Sequence, residues 1–221
     1  MQTISITNLK GGVGKTTTAI NLACRLATTG KKVLLLDIDH QSNLSEFFGG
    51  ASTDDFHQLI VGTERIIPQT VAENLDLIPS DMDTATINFK LIGQLDWHSR
   101  LKKRLQENGF YKKYDFCIID CPPALDMIVT NALMAADYIL IPLTPGRFAY
   151  DGLENILERI EEVKECANPT IEILGILLTM VSNRTRATRS IVENLKRHGL
   201  DIRTCDTRIR QCEAFKQAEL D

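Results

Sequence analysis

Two lysines, Lys10 and Lys15, bracket the glycine-rich stretch Lys10-Gly11-Gly12-Val13-Gly14-Lys15-Thr16-Thr17. Glycines at this density let the main chain approach an anion closely and adopt conformations that a side chain would block. A lysine followed by a hydroxyl residue at the end of such a turn is an arrangement that cradles nucleotide phosphates. In that scheme Lys15 reaches the β- and γ-phosphates, the Thr16 hydroxyl ligates Mg2+, and Thr17 bonds the α-phosphate. The spacing departs from the usual G-x-x-x-x-G-K-[ST] pattern, because position 9, where the first glycine belongs, holds Leu9 and is followed by Lys10. The loop therefore carries two lysines, and Lys15 takes the phosphate role, which leaves the use of Lys10 open.

Carboxylates at strand ends complete the chemistry. In YDFCIIDCPPA, residues 114–124, an apolar run ends in Asp120, and Pro122 and Pro123 stiffen the exit. A carboxylate at the carboxyl end of a parallel strand faces the crevice where α/β sheets bind ligands. Asp120 is read as a Mg2+ holder acting through a water, since Mg2+ keeps part of its hydration shell. LLLDIDHQSN, residues 34–43, delivers Asp37 and Asp39 to another strand end. Residues two apart share a strand face, so this pair either points toward the ligand together or caps the helix that follows.

Positioning these groups requires strands that end together, and the sequence supplies them. Short β-branched runs at 3–8, 33–37, 75–79, 116–120, 138–142 and 173–179 alternate with helix-like stretches at 15–29, 83–108 (broken near Gly93), 150–166 and 185–198. That alternation predicts an α/β fold, a mainly parallel twisted sheet with helices on both faces. VLLLD and FCIID are continuously apolar, as strands covered on both faces are. Residues 49–70 carry the least regular pattern, read as a surface loop or short helices. No internal repeat, low-complexity segment or linker interrupts the chain.

At 221 residues the chain suits one sizeable domain. No apolar run approaches the roughly 18 to 20 residues of a membrane span, and the start runs directly into a strand without a signal-peptide pattern. Both predict a cytosolic protein. Six cysteines lack CxxC spacing and are read as free thiols, several of them buried. The net charge is −4, yet residues 184–216 hold nine Lys/Arg against four Asp/Glu, a local +5 that leaves −9 for the remainder. Such asymmetry permits a polyanion site on an acidic protein.

KGGVGKTT, DIDHQSN and IIDCPP resemble the deviant Walker A, switch I and Walker B/switch II elements of the ParA/MinD family of ATPases, of the SIMIBI class of P-loop proteins. NLDLIPSDMDTA, NALMAADYILIPLTP, GLENIL and GILLTMVSNRT resemble its ParA/Soj partition branch, and the likeness runs from residue 3 to residue 218. The resemblance implies a single P-loop NTPase domain over residues 1–221. The family's C-terminal strand and helix are short or missing, because TRIRQCEAFKQAELD stops where relatives continue.

It also implies slow, partner-stimulated hydrolysis of ATP with Mg2+, a homodimer formed on ATP binding, and a ParB-like centromere-binding partner. ATP rather than GTP fits the lack of an N-K-x-D motif. Lys10 then reaches across a nucleotide-sandwich dimer to the partner's phosphates, because two ATP-bearing faces repel unless a cation from each side compensates. Lys10, Lys15 and Asp39 form the catalytic set. Asp39 positions the attacking water and joins Thr16 and Asp120 at the metal, while Gly11, Gly12, Val13, Gly14 and Thr17 line the phosphates. Asn183, at a strand end, is the base contact. Arg184 matches an arginine used on the DNA backbone, and Arg186, Arg189, Lys196 and Arg197 follow it on a helix whose opposite stripe holds Ile191, Val192 and Leu195. Contacts of that kind bind double-stranded DNA without reading sequence. They imply a cytoplasmic, nucleoid-associated protein that does not use a membrane.

The alternative is a MinD-like or other superfamily ATPase that positions a protein or membrane cargo without DNA. EAFKQAELD is too short and acidic for the amphipathic helix this needs. A cluster-bearing iron protein is disfavoured because Cys121 stands beside Asp120 and not at the family's cluster positions, and the second lysine weighs against an amidotransferase or ligase. One departure from the family is His40, where a proline usually presets the turn after Asp39. Its presence predicts a looser switch I and an altered hydrolysis rate.

Overall fold

The computed structural model describes residues 1–49, 55–146, 149–182 and 185–212. In chain order β1 (Gln2–Ile6), α1 (Lys15–Thr28), β2 (Val33–Asp37), α2 (Asn43–Phe47) and α3 (Asp55–Val61) come first. Next are β3 (Gln69–Ala72), β4 (Leu75–Ile78), α4 (Ile87–Leu91), α5 (Arg100–Glu107), α6 (Phe110–Lys113) and β5 (Phe116–Asp120). The order ends with α7 (Met127–Ala135), β6 (Tyr138–Leu143), α8 (Ala149–Cys166), β7 (Glu172–Val181), α9 (Arg186–Arg197) and β8 (Thr204–Arg210). Among the described residues these build one eight-stranded sheet in the order β3-β4-β2-β5-β1-β6-β7-β8. Among the described residues only the β3–β4 pairing is antiparallel. The chain is thus an α/β domain of the expected class.

Strand alternation divides the core in two. Val33 and Leu35 of β2 turn toward α1, whose Ala19, Ala23 and Ala27 recur every four residues and let the helix lie close. Leu34 and Leu36 turn the other way, into a core that runs along the opposite face and also holds Leu59 of α3, Leu105 of α5, Val129 of α7, Ile156 of α8 and Ile191 of α9. Helices therefore cover both faces, which is why the central strands are apolar throughout.

The six anticipated strands are present, and β3, β8, α7 and the short helices α2 and α6 are additions. Every residue of α7 after Met127 is buried, so the segment has no polar stripe and no helical period to read. β3 and β8 are the half-exposed edge strands, whose polar composition resembles loop. The anticipated helix at 83–108 is resolved into a 3-10 turn (Met82–Thr86), α4, a break with Gly93 at φ 80°, and α5.

Candidate active site

The register of three adjacent strands places Ile6, Asp120 and Asp37 abreast, at the carboxyl ends of β1, β5 and β2. The chain leaving β1 is secured at once. Buried Asn8 donates from Nδ2 to the Pro142 carbonyl (2.6 Å) and accepts the Lys10 N–H on Oδ1 (2.9 Å). The loop then turns through Gly12 (φ 69°) and Gly14 (φ 84°), left-handed conformations that a side chain strains. Gly14 is the N-cap of α1 and supplies no side-chain cap. The first N–H groups of the helix are therefore left to bind an anion from outside. Thr179, at the end of β7, donates its hydroxyl to the Val13 carbonyl (2.8 Å) and pairs with the Thr144 hydroxyl (2.9 Å), so two neighbouring strands brace the loop.

The two lysines occupy different environments. Lys15 is 7% exposed, and its ammonium donates to the Lys10 carbonyl at 3.2 Å. Burial holds its pKa below the ordinary lysine value, against the upward pull of Asp120, Cys121 and Asp39. Lys10 is exposed, and its Nζ lies beside Gly146 on the far side of the loop, 3.6 Å from where a β-carbon there would stand.

Asp120 is 1% exposed, and its Oδ1 is buried without a hydrogen-bond partner. Burial first, then neighbouring Asp37, raises its pKa to about 8, while the Thr16 hydroxyl and Lys15 pull it down. A buried, unsatisfied carboxylate oxygen beside a threonine hydroxyl is a hard-oxygen pair suited to a cation that retains waters. These residues fit Mg2+.

Asp37 and Asp39 do not act as a pair. Asp37 is wholly buried and accepts Ser45 N–H (2.9 Å) and Ser45 Oγ–H (2.7 Å) on Oδ2, and Asp39 N–H (3.1 Å) on Oδ1. It caps α2 across the turn, which settles for Asp37 the choice the sequence left open. Burial raises its pKa despite those bonds. Asp39 accepts Gln41 N–H on Oδ1 at 3.0 Å, and His40 Nδ1 is 3.6 Å from the same oxygen. His40 therefore extends from the turn beside Asp39.

On α9, Arg186, Arg189, Lys196 and Arg197 are exposed while Ile191 and Leu195 are buried, as the stripe predicts. Thr185 caps the helix by accepting Thr188 N–H on its hydroxyl (3.4 Å). Asn183 and Arg184 lie outside the described residues. All six cysteines are free, with Cys117 and Cys121 buried. Asn8, Thr144, Thr179, Ser45 and Ser80 went unread in the sequence as site residues. For Asn8, Thr144, Thr179 and Ser80 the available signal was a polar residue near a parallel strand's carboxyl end, whereas Ser45, inside α2, carried none.

A family profile described as an AAA domain matches residues 1–173. The sporulation initiation inhibitor protein Soj of Bacillus subtilis is 38% identical over 204 residues, covering 90% of this chain and 80% of that protein. The chromosome partitioning protein ParA of Caulobacter vibrioides is 36% identical over 205 residues, covering 90% and 76%. Among solved structures, an ATP complex of McdA from Cyanothece superposes with a TM-score of 0.87 at 29% identity, covering 99% of this chain and 86% of that one. With a phosphate loop braced by β6 and β7, a buried Asp120 beside Thr16, and this extent of likeness, the chain belongs to the ParA/Soj partition-ATPase branch of the ParA/MinD family.

Proposed function

We propose that residues 1–221 form one ATPase unit that binds ATP with Mg2+, dimerises face to face through the bound nucleotides, holds duplex DNA without sequence preference, and partitions a plasmid or chromosome. A ParB-like centromere-binding protein stimulates an otherwise slow hydrolysis and ends the cycle. The observation carrying this reading is the division of labour between the lysines. Lys15 is buried within the loop, whereas Lys10 is exposed and, among the described residues, has no carboxylate partner. A cation outside one loop is placed to compensate phosphates on a second copy.

In each subunit the free N–H groups of the loop and of the α1 terminus take the phosphates, joined by Lys15 and Thr17. Thr16, Asp120 and Asp39 hold Mg2+, which supplies charge neutralisation at the phosphates. Asp39 orients the attacking water, and Asn183 contacts the base. Arg184 with Arg186, Arg189, Lys196 and Arg197 meets DNA phosphates. The protein acts in the cytoplasm on the nucleoid, without a membrane; among the described residues no helix is long and apolar enough to cross one.

The test is binding to random-sequence duplex DNA with ATP, ADP or no nucleotide at two salt concentrations, with Lys10→Ala and Arg186→Ala/Arg189→Ala beside the parent. ATP-dependent binding that weakens steeply with salt and is lost in both variants is the expected result. ATP hydrolysis without DNA binding under any condition rejects partitioning for this chain in favour of a different cargo.

A further inference from the structure

Behind the Asp39 turn lie two buried hydroxyls, Ser45 from α2 and Ser80 from just past β4. Ser80, fully buried where β4 ends, donates from Oγ to the Asp39 carbonyl at 2.6 Å and lies 3.3 Å from Ser42 Oγ. Its N–H donates to Ser45 Oγ at 3.1 Å, and Ser45 donates in turn to Asp37. The Asp39 carbonyl also accepts Ser42 N–H at 2.9 Å, so both of its lone pairs are engaged. Ser42 itself is at φ 55°, ψ 21°, a left-handed conformation disfavoured for a residue with a side chain. Such backbone persists only where its surroundings over-determine it. Here the surroundings are Asp37 and Ser45 on the switch side and Ser80 from the segment that leaves β4.

We propose that Ser80 is a positioning residue for hydrolysis: by holding the Asp39 carbonyl it keeps the strained 39–42 turn, and with it the Asp39 side chain, in the geometry that orients the attacking water. This rests on the proposed role of Asp39. Neither the phosphate loop nor its braces at Asn8, Thr144 and Thr179 bonds to Ser80. The effect therefore falls on the chemical step and leaves nucleotide binding alone.

The experiment measures single-turnover ATP hydrolysis with Mg2+, affinity for a fluorescent ATP analogue, and thermal unfolding, on the full chain and on Ser80→Ala, Ser80→Cys and Asp39→Ala. Loss of one neutral hydrogen bond at the site predicts a fall in hydrolysis of about 3- to 10-fold for Ser80→Ala with analogue affinity unchanged. Ser80→Cys, a weaker donor of similar shape, lies between it and the parent. Unchanged hydrolysis in Ser80→Ala, with Asp39→Ala inactive, overturns the inference and leaves the Asp39 reading standing. Affinity and melting temperature falling in step with hydrolysis assign Ser80 a purely structural role and also overturn it. Hydrolysis surviving Asp39→Ala removes the Asp39 reading and this inference together.

Discussion

Thr179→Val isolates the brace beneath the phosphate loop. The substitution keeps side-chain volume and removes one hydroxyl, which donates to the Val13 carbonyl at 2.8 Å and pairs with Thr144 at 2.9 Å. Val13 is 1% exposed, so water does not replace the lost donor. Removing one partner of a buried hydrogen bond costs about 1–3 kcal/mol. Two outcomes share that cost. If the loop keeps its shape, unfolding midpoints fall by roughly 2–4 °C per kcal/mol for a domain of this size. If the loop relaxes, ATP must rebuild it on binding, and each 1.4 kcal/mol raises the dissociation constant about tenfold. Thermal unfolding and ATP-analogue titration of Thr179→Val, Thr144→Val and the double variant measure both, and the pair should couple by about 0.5–3 kcal/mol. Unchanged melting and affinity in Thr179→Val, or strict additivity in the double variant, refute the brace.

Asp120→Asn replaces a buried carboxyl, which folding holds above the ordinary aspartate pKa and whose Oδ1 has no partner, with a group that does not ionise, so at neutral pH nucleotide-free protein should melt higher while Mg2+-dependent ATP hydrolysis is lost; calorimetry and a phosphate-release assay read the two effects. Gly14→Ala would make only an ordinary van der Waals contact, with Thr179 Cγ2 at 3.9 Å, so any loss is conformational. At φ 84° that strain is about 1–2 kcal/mol, and calorimetric titration should show weakened ATP binding. Asp76 gives a pH dependence. Burial pulls its pKa upward, but hydrogen bonds from Tyr114, Lys113 and Thr70 outweigh this and hold it below the ordinary aspartate value. A depressed carboxyl contributes stability above its unfolded pKa of about 3.9 and loses that contribution as pH falls through the folded value. Asp76→Asn should therefore lower the melting temperature at pH 7 and have a smaller effect near pH 3.

The residues proposed to carry the chemistry were legible because the proposed roles depend on local spacing. A lysine and threonine following closely spaced glycines, and an aspartate ending an apolar run, are the patterns on which the proposed phosphate and metal roles rest. The central strands were equally plain, since burial on both faces leaves an unbroken apolar run such as VLLLD. By contrast, α7 offers no polar face to mark its period, and edge strands β3 and β8 are half polar.

Tertiary structure alone decided how the loop and the switch are held. Asp37 and Asp39 sit two residues apart, yet only Asp37 is consumed as a cap, because Ser45 folds back onto it. Ser80 reaches the Asp39 carbonyl across 41 positions of sequence, and Thr179 reaches Val13 across 166. A single serine or threonine hydroxyl carries no pattern in sequence. Its partner is set by which strand ends the sheet order brings side by side, and that order follows from burying both faces of a mainly parallel sheet.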